Sequence, residues 1–580
     1  MRMLLLVLSV ALAWGCARSE PAPAVASSDA RVRALADAYL DGFFERNPDE
    51  VTSYGVPGHG HDRLPDNSLD ALAAWHAKED AWLAEAKQID PSTIKASPLR
   101  ATYAITREAL EGAVVRRVCR SELWGVSQFA NSWQAWFGYL VTIQAVGTDQ
   151  ARRDALTRWG ALPQYLETEI ANLRDGLERG YSAPKGNVRL AIDQMNSLIA
   201  TPLKDSPFDS PAVRDQTPAF QQEFDALVAD RIVPAIRKYR DFLQQEYLPA
   251  ARETIAVSTN PDGAACYDAS IRAHSSLAVG AKEVHALGLE QIERLTGEMR
   301  TIAERSFGTS DVPALLQRLR TDRKYMFKGR EELIEYSQAA LARAKAAAPT
   351  WFGLLPKADV VIEPYPAFRE KSGPNEYVPP AEDGSRPATF FISAYEAEKK
   401  SRAIPESTAF HETIPGHHLQ IAIAMERKAI HPIGRYIGNS GYSEGWALYS
   451  ERLADEMKLF SSDLDRLGML SSQALRAARL VVDTGLHTLG WNRQQAIDYM
   501  LAHTSESVGD VTSEVDRYII YPGQATSYML GMLEIQGARA QAEMRLGSRF
   551  DIRKFHDLVL EDGAVPVTFL RDKVGQWTGD

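Results

Sequence analysis

The chain has 580 residues, 45% of them apolar and 24% charged, with a net charge of −11. That composition is globular and long enough for one large domain or several ordinary ones. The charge argues against a nucleic-acid binder, which would need a basic face, and no internal run of about 20 apolar residues exists to span a membrane.

Arg2 precedes an apolar run from Leu4 to Trp14, closed by Gly15-Cys16. This reads as an export signal over residues 1–15. Cys16 directly after Gly15 resembles a lipobox, although Trp14 is an unusual neighbour for one. The expectation is a protein of the periplasm or cell surface, lipid-anchored through Cys16, with that lipid its only membrane attachment. Plain secretion and an uncleaved anchor are the alternatives. Residues 16–28, rich in Pro and Ala, read as a disordered tether. Cys119 and Cys266 are the remaining cysteines. Export permits a disulfide between them. Two separate buried thiols is the other reading, because sequence does not fix their Cα separation.

From Asp29 onward apolar residues recur at three- and four-residue steps, as in Val32, Leu35, Ala36, Tyr39, Leu40 and Phe43. The same period predicts helices over 69–86, 98–115, 157–179, 220–248, 283–307 and 330–348. The organisation expected is a helical region over 29–300 and a catalytic region over 301–580, continuous as one structural unit. Residues 363–387 carry six prolines and read as a long irregular segment. It leads into Ala388–Ser393, a strand by its aromatic and β-branched content. Such a strand either pairs with an extended peptide at a sheet edge or belongs to the core. Later, Asn492 with Gln495 forms a capping pair, and Asp551 caps a helix that stops before Gly563.

The densest chemistry lies in His411-Glu412-Thr413-Ile414-Pro415-Gly416-His417-His418. Catalytic zinc takes three His or carboxylate ligands and keeps a position for water. In H-E-x-x-H, two His at i and i+4 share a helix face and Glu is the base. Here i+4 from His411 is Pro415. In a regular helix His417 sits roughly 240° around from His411, and His418 roughly 10 Å along the axis. Pro415 and Gly416 interrupt the helix, and a two-residue bulge brings His417 to the place of i+4. His417 is the expected ligand and His418 the alternative, with a supporting role if not a ligand. The third ligand should come from the helix predicted over 443–457. Glu444, expected to open that helix, and Glu451 both qualify, and spacing alone does not choose between them. His59, His61, His76, His274, His285, His431, His503 and His556 lack ligand spacing and read as structural or surface residues.

The runs HETIPGHHLQ and SEGWALYSE resemble the bacterial domain-of-unknown-function 885 family, a group related to the gluzincin zinc peptidases. The likeness extends to RPATFFIS, VVDTGLHTLGW, EVDRYIIYPGQATSYMLG and FDIRKFHDLVLEDGAVP. It implies a mainly α, metallopeptidase-like fold with a small β element beside the motif helix. Thimet-type oligopeptidases carry His-Glu followed by Gly-His, and dipeptidyl peptidase III has one residue more. Gly416-His417 fits that pattern with two extra residues, which favours His417. In those relatives the first Glu of the next motif is the third ligand, which matches Glu444. The implied site is Zn2+ on His411, His417 and Glu444, with Glu412 as general base. The relatives use a later tyrosine at the oxyanion; Tyr528 and Tyr521 are candidates here, and His487 is a third. Arg517, Gln524 and Phe390 are candidates for holding a peptide substrate, Arg517 through a bidentate pair with a carboxylate. The function expected is an exported zinc metallopeptidase. A zinc amidohydrolase on a non-protein amide, or a non-catalytic metal-binding lipoprotein, are the alternatives.

Overall fold

A computed structural model describes residues 26–129, 132–365, 370, 375–382, 384 and 386–579. The expected export signal, Cys16 and nearly all of the tether lie outside these residues. Ser27, at the tether's end, caps the first helix by accepting from the Ala30 amide.

The protein is mainly α, with one small sheet. Two apolar cores organise it. The larger is built from residues 32–124 and 257–577, together with Tyr181, and includes the sheet. The smaller runs from Val126 to Ala251 and forms a helical lobe. Residue 300 falls inside the helix Ala281–Phe307, whose buried face belongs to the larger core. Arg158, fully buried, fastens the lobe by donating to Pro48 O, Thr52 Oγ1, Arg63 O and Gln144 Oε1. Cys119 and Cys266 are disulfide-bonded, with Cα atoms 4.6 Å apart.

Two of the periodic stretches differ from single α-helices. The one over 157–179 is two helices, because Pro163 restarts the chain in the first turn of Leu162–Glu178. The stretch over 220–248 is one rod with π turns at Val228–Ile232 and Leu243–Tyr247. Each π turn directly precedes a helix carrying a proline in its first turn, Pro234 and Pro249. Widening the turn accommodates the missing N–H and the bulk of the ring.

Strands β1 (Val360–Pro364), β2 (Glu376–Val378) and β3 (Ala388–Ile392) form a sheet of order β1-β3-β2. β1 is parallel and β2 antiparallel to β3. β3 is therefore central, with a partner on each side, and only Phe391 escapes burial. It is a core strand; the edge-pairing alternative does not hold for it. No helix among the described residues is long and apolar enough to cross a membrane.

Candidate metal centre

The first motif helix, Pro405–Glu412, stops where Thr413 leaves helical geometry, and a second helix starts at His417. The expected bulge within one helix is thus a break between two, with a cis Ile414–Pro415 peptide in the link. Gly416 makes the return possible. A Cβ there would lie 1.9 Å from the His411 carbonyl oxygen and 2.5 Å from that of Phe410, so no other residue fits. The Trp446 indole donates to Pro415 O at 3.0 Å and pins the link to the next helix. The outcome is two perpendicular imidazoles, His411 and His417, with ring centroids 4.8 Å apart.

Helix Ser440–Glu456 supplies the third donor. Asn439 caps it, so it begins about one turn earlier than expected and Glu444 lies past its first turn rather than opening it. Tyr442, Trp446, Leu448, Tyr449 and Leu453 are almost fully buried along it. Each such side chain contributes about 1.5–3 kcal/mol, and together they fix the rotation of the helix. Glu444 Oε2 then stands 3.6 Å from His411 Nε2 and 3.4 Å from His417 Nε2. These separations are long for hydrogen bonds. They match the roughly 3.4 Å between two ligands bound about 2.0–2.1 Å from one tetrahedral ion. The candidate donor atoms of His411, His417 and Glu444 all lie within 4.8 Å of one another. Two imidazoles and a carboxylate are a donor set suited to zinc, and the residues fit such an ion.

Glu451 stands behind this set. Its Oε1 meets His411 Nδ1 at 2.9 Å, and its Oε2 accepts from Ser407 at 2.8 Å. A carboxylate on Nδ1 leaves Nε2 available to an ion and would raise its basicity as a ligand. Burial pushes the His411 imidazole down, but Glu444 and Glu451 outweigh it and lift the ring to about 9. Burial would raise the Glu444 carboxyl, yet His417 and His411 hold it well below its usual range. Glu412 borders the same space, feeling the charges of both histidines and of Glu444. Burial raises its carboxyl, with the histidines opposing.

His418 is not in the cluster. Its Nε2–H donates to Ala358 O at 3.0 Å, so Nδ1 accepts from the Tyr377 hydroxyl, also at 3.0 Å. Burial holds it neutral, down to about 4. It ties the second motif helix to β2. Phe390 is fully buried in β3 and faces no site. His487 is also fully buried: Nδ1 accepts from the Val257 amide, and Nε2–H donates to Tyr518 O, each at 3.0 Å. Its proton is committed to the fold, so it offers no oxyanion donor. Tyr521 packs edge-on against His274, with centroids 5.3 Å apart.

Arg517, Gln524 and Tyr528 are brought together. One Arg517 nitrogen, Nη2, donates both to Gln524 and to the Tyr528 hydroxyl, the latter at 3.2 Å, while Nη1 lies 3.3 Å from Glu514. Both terminal nitrogens are thus engaged, and the expected bidentate grip on a carboxylate would have to break those bonds. Sequence reasoning missed Arg476 and Arg479. Arg479 lies 4.4 Å from the Tyr528 ring centroid. Arg476 lies 6.0 Å from it and 3.7 Å from Glu451, bridging Tyr528 to the metal cluster. Ser407 had a usable signal, standing one turn before His411 on the same face; the arginines had none.

Tyr528 reaches this neighbourhood through a glycine crossing. A Cβ on Gly445 would lie 2.5 Å from the Gly531 backbone, and one on Gly531 would lie 1.7 Å from Gly441 O. Helices Ser440–Glu456 and Ser527–Leu546 therefore touch backbone to backbone, beside Glu444 and within a turn of Tyr528.

The model of one family, described as "Bacterial protein of unknown function (DUF885)", matches residues 48–574. The chain belongs to the DUF885 family. Among solved structures, this DUF885 chain is similar to a "putative lipoprotein" from Colwellia psychrerythraea. The two are 25% identical with a TM-score of 0.86, over 95% of this chain and 100% of that one. It is also similar to a "putative lipoprotein of unknown function" from Shewanella oneidensis, at 19% identity and a TM-score of 0.73, over 93% and 99% of the two chains. That second likeness shows the fold alone. No curated protein matches the chain significantly.

Proposed function

We propose that this protein is an exported, zinc-dependent peptidase. The observation that carries the reading is the convergence of His411, His417 and Glu444 on one point, with a second carboxylate, Glu412, beside them. A purely structural site needs no such base. A divalent ion held by the three donors would supply Lewis acidity, lowering the pKa of water and polarising a carbonyl. Glu412 takes the proton of the attacking water and returns it to the leaving amine. Tyr528, whose oxygen accepts from Arg517, keeps its own O–H to donate to the developing oxyanion. The same reading places the protein in the periplasm or at the cell surface, anchored by a lipid on Cys16, as the naming of the structural relatives suggests.

The test combines metal analysis with digestion of a mixed peptide library read by mass spectrometry. Wild type is expected to bind one zinc and to cleave peptides. Glu412→Gln is expected to keep the zinc and lose at least 100-fold in rate. Zinc at one equivalent with no hydrolysis by wild type would overturn the reading.

A further inference from the structure

The run VVDTGLHTLGW, residues 481–491, carries polar groups that the metal centre does not use. It lies across the end of helix Asp463–Thr488, one face of which presents Arg476, Arg479, Asp483 and His487 at steps of three and four residues. All four side chains address one later segment. Arg476 and Arg479 lie 6.0 and 4.4 Å from the Tyr528 ring centroid, and Arg479 Nε donates to the Tyr518 hydroxyl at 3.0 Å. His487 Nε2–H donates to Tyr518 O at 3.0 Å, and Asp483 Oδ1 accepts the Gly523 N–H, also at 3.0 Å. The face is a floor under residues 518–528, and Asp483 stands beneath their turn.

That turn is held from a second side. Gly523 has a φ of +78°, and a Cβ there would lie 2.9 Å from Ile271 N, so the turn presses on helix Gly263–Ser275. The same helix supplies Tyr267, whose hydroxyl donates to the same Asp483 oxygen at 2.6 Å. From Gly523 the chain passes into Gln524, which accepts from Arg517, and then into helix Ser527–Leu546, whose first turn holds Tyr528. Asp483 is a costly anchor for this. It is fully buried, forms no ion pair among the described residues, and leaves Oδ2 without a hydrogen-bond partner. Burial lifts its carboxyl to about 7, against both hydrogen bonds and the charges of Arg517 and Arg479. Stability alone favours an apolar residue at such a place, and costs of this kind concentrate where placement serves chemistry.

We propose that Asp483 is a positioning residue for the reaction: by holding the Gly523 amide it fixes the turn that presents Tyr528 to the developing oxyanion. It touches neither substrate nor metal and acts through Tyr528. The inference rests on the peptidase reading, which gives Tyr528 its role.

The test uses the full-length, zinc-loaded protein and a peptide that the wild type cleaves. Removing one oxyanion donor costs about 100- to 1,000-fold in kcat, and displacing it through Asp483→Leu is expected to cost at least about 10-fold. KM and zinc content are expected to stay at their wild-type values. Asp483→Asn keeps an oxygen for the Gly523 amide and is expected to recover most of the rate. In a Tyr528→Phe background, Asp483→Leu is expected to cost less than about 2-fold, because effects routed through one group do not add. An undiminished loss in that background, a loss carried by KM, or a wild-type kcat in Asp483→Leu overturns the proposal. If Asp483→Leu does not fold, Tyr267→Phe takes its place in the same cycle with the same outcomes. Hydrogen exchange read by mass spectrometry gives an answer without turnover. Asp483→Leu is expected to speed exchange in residues 521–528 and to leave residues 405–426 unchanged; unchanged exchange in residues 521–528 overturns the placement. Faster exchange there, in a protein whose wild type cleaves no peptide, leaves the placement of Tyr528 standing and removes the peptidase reading instead.

Discussion

His411 meets Glu451 through Nδ1 at 2.9 Å, while its Nε2 faces Glu444 of the same helix at 3.6 Å. Seven residues separate the two carboxylates, so they share a helix face two turns apart, and one imidazole ring spans the gap between them. In the proposed metal centre the pair would divide the work, with Glu444 holding the ion and Glu451 aiming the imidazole. Replacing the partner behind a metal-bound histidine typically costs 10–100-fold in affinity. Glu451→Gln is therefore expected to weaken zinc by that range in a chelator competition, with circular dichroism unchanged. Glu444→Gln, which removes a donor, is expected to lose stoichiometric zinc. Equal effects of the two substitutions would contradict the division.

Gly416 offers a test of the break between the motif helices. Its φ is −83°, so the requirement for glycine comes from contact rather than from a left-handed backbone. A Cβ 1.9 Å from the His411 carbonyl forces the two helices apart. Gly416→Ala is expected to lower the melting temperature and to reduce bound zinc, because His417 moves with the backbone. Gly575→Ala is the control: nothing lies near it, and it sits in the last helix. Alanine there is expected to leave zinc unchanged and to be neutral or stabilising by up to about 1 kcal/mol.

The helices were legible because their apolar faces recur at the helical period and their caps are local. The Asn492–Gln495 capping box forms as its residues predict, and helix Arg330–Ala347 ends within a residue of its expected bound. What needed three dimensions was any choice among chemically equal residues. Glu444 and Glu451 cannot be ranked by type or spacing; the burial of Trp446 and its neighbours ranks them by fixing the helix rotation. His418 directly follows His417 in sequence, yet a carbonyl and a phenol claim both its nitrogens. Phe390 is a substrate candidate only if its strand lies at a sheet edge, but strands pair on both sides of it and the side chain is fully buried. The helical lobe of residues 126–251 was not visible at all, since its periodicity is no different from that of the larger core.

His418 and His417 are neighbours with opposite fates, and substitution separates them. His417→Ala removes a donor and is expected to abolish stoichiometric zinc. His418→Ala removes two buried hydrogen bonds, each worth about 0.5–1.5 kcal/mol. It is expected to lower stability by about 1–3 kcal/mol in urea denaturation while zinc content stays at the wild-type value. Loss of zinc in a folded His418→Ala protein would reverse the assignment of the ligands.

His487 predicts a pH dependence that owes nothing to the metal. Burial lowers its imidazole to about 4, against the hydrogen bond to Tyr518 O, while the unfolded chain titrates near 6.5. Between those values the unfolded state binds a proton that the native state refuses. Unfolding is then favoured as pH falls, and the contribution of His487 to stability is present above about 6.5 and lost toward 4. His487→Gln removes this one titration. In urea denaturation of chelator-treated protein, wild type is expected to exceed the variant by most at pH 7.5. The gap should close by about 1.4 kcal/mol per pH unit below 6.5. A constant gap from pH 7.5 to 4.5 would mean that His487 takes up its proton in the native state as readily as in the unfolded chain. Its amide contact from Val257 would then be a repulsive one, and the assignment of its proton to Nε2 would fail.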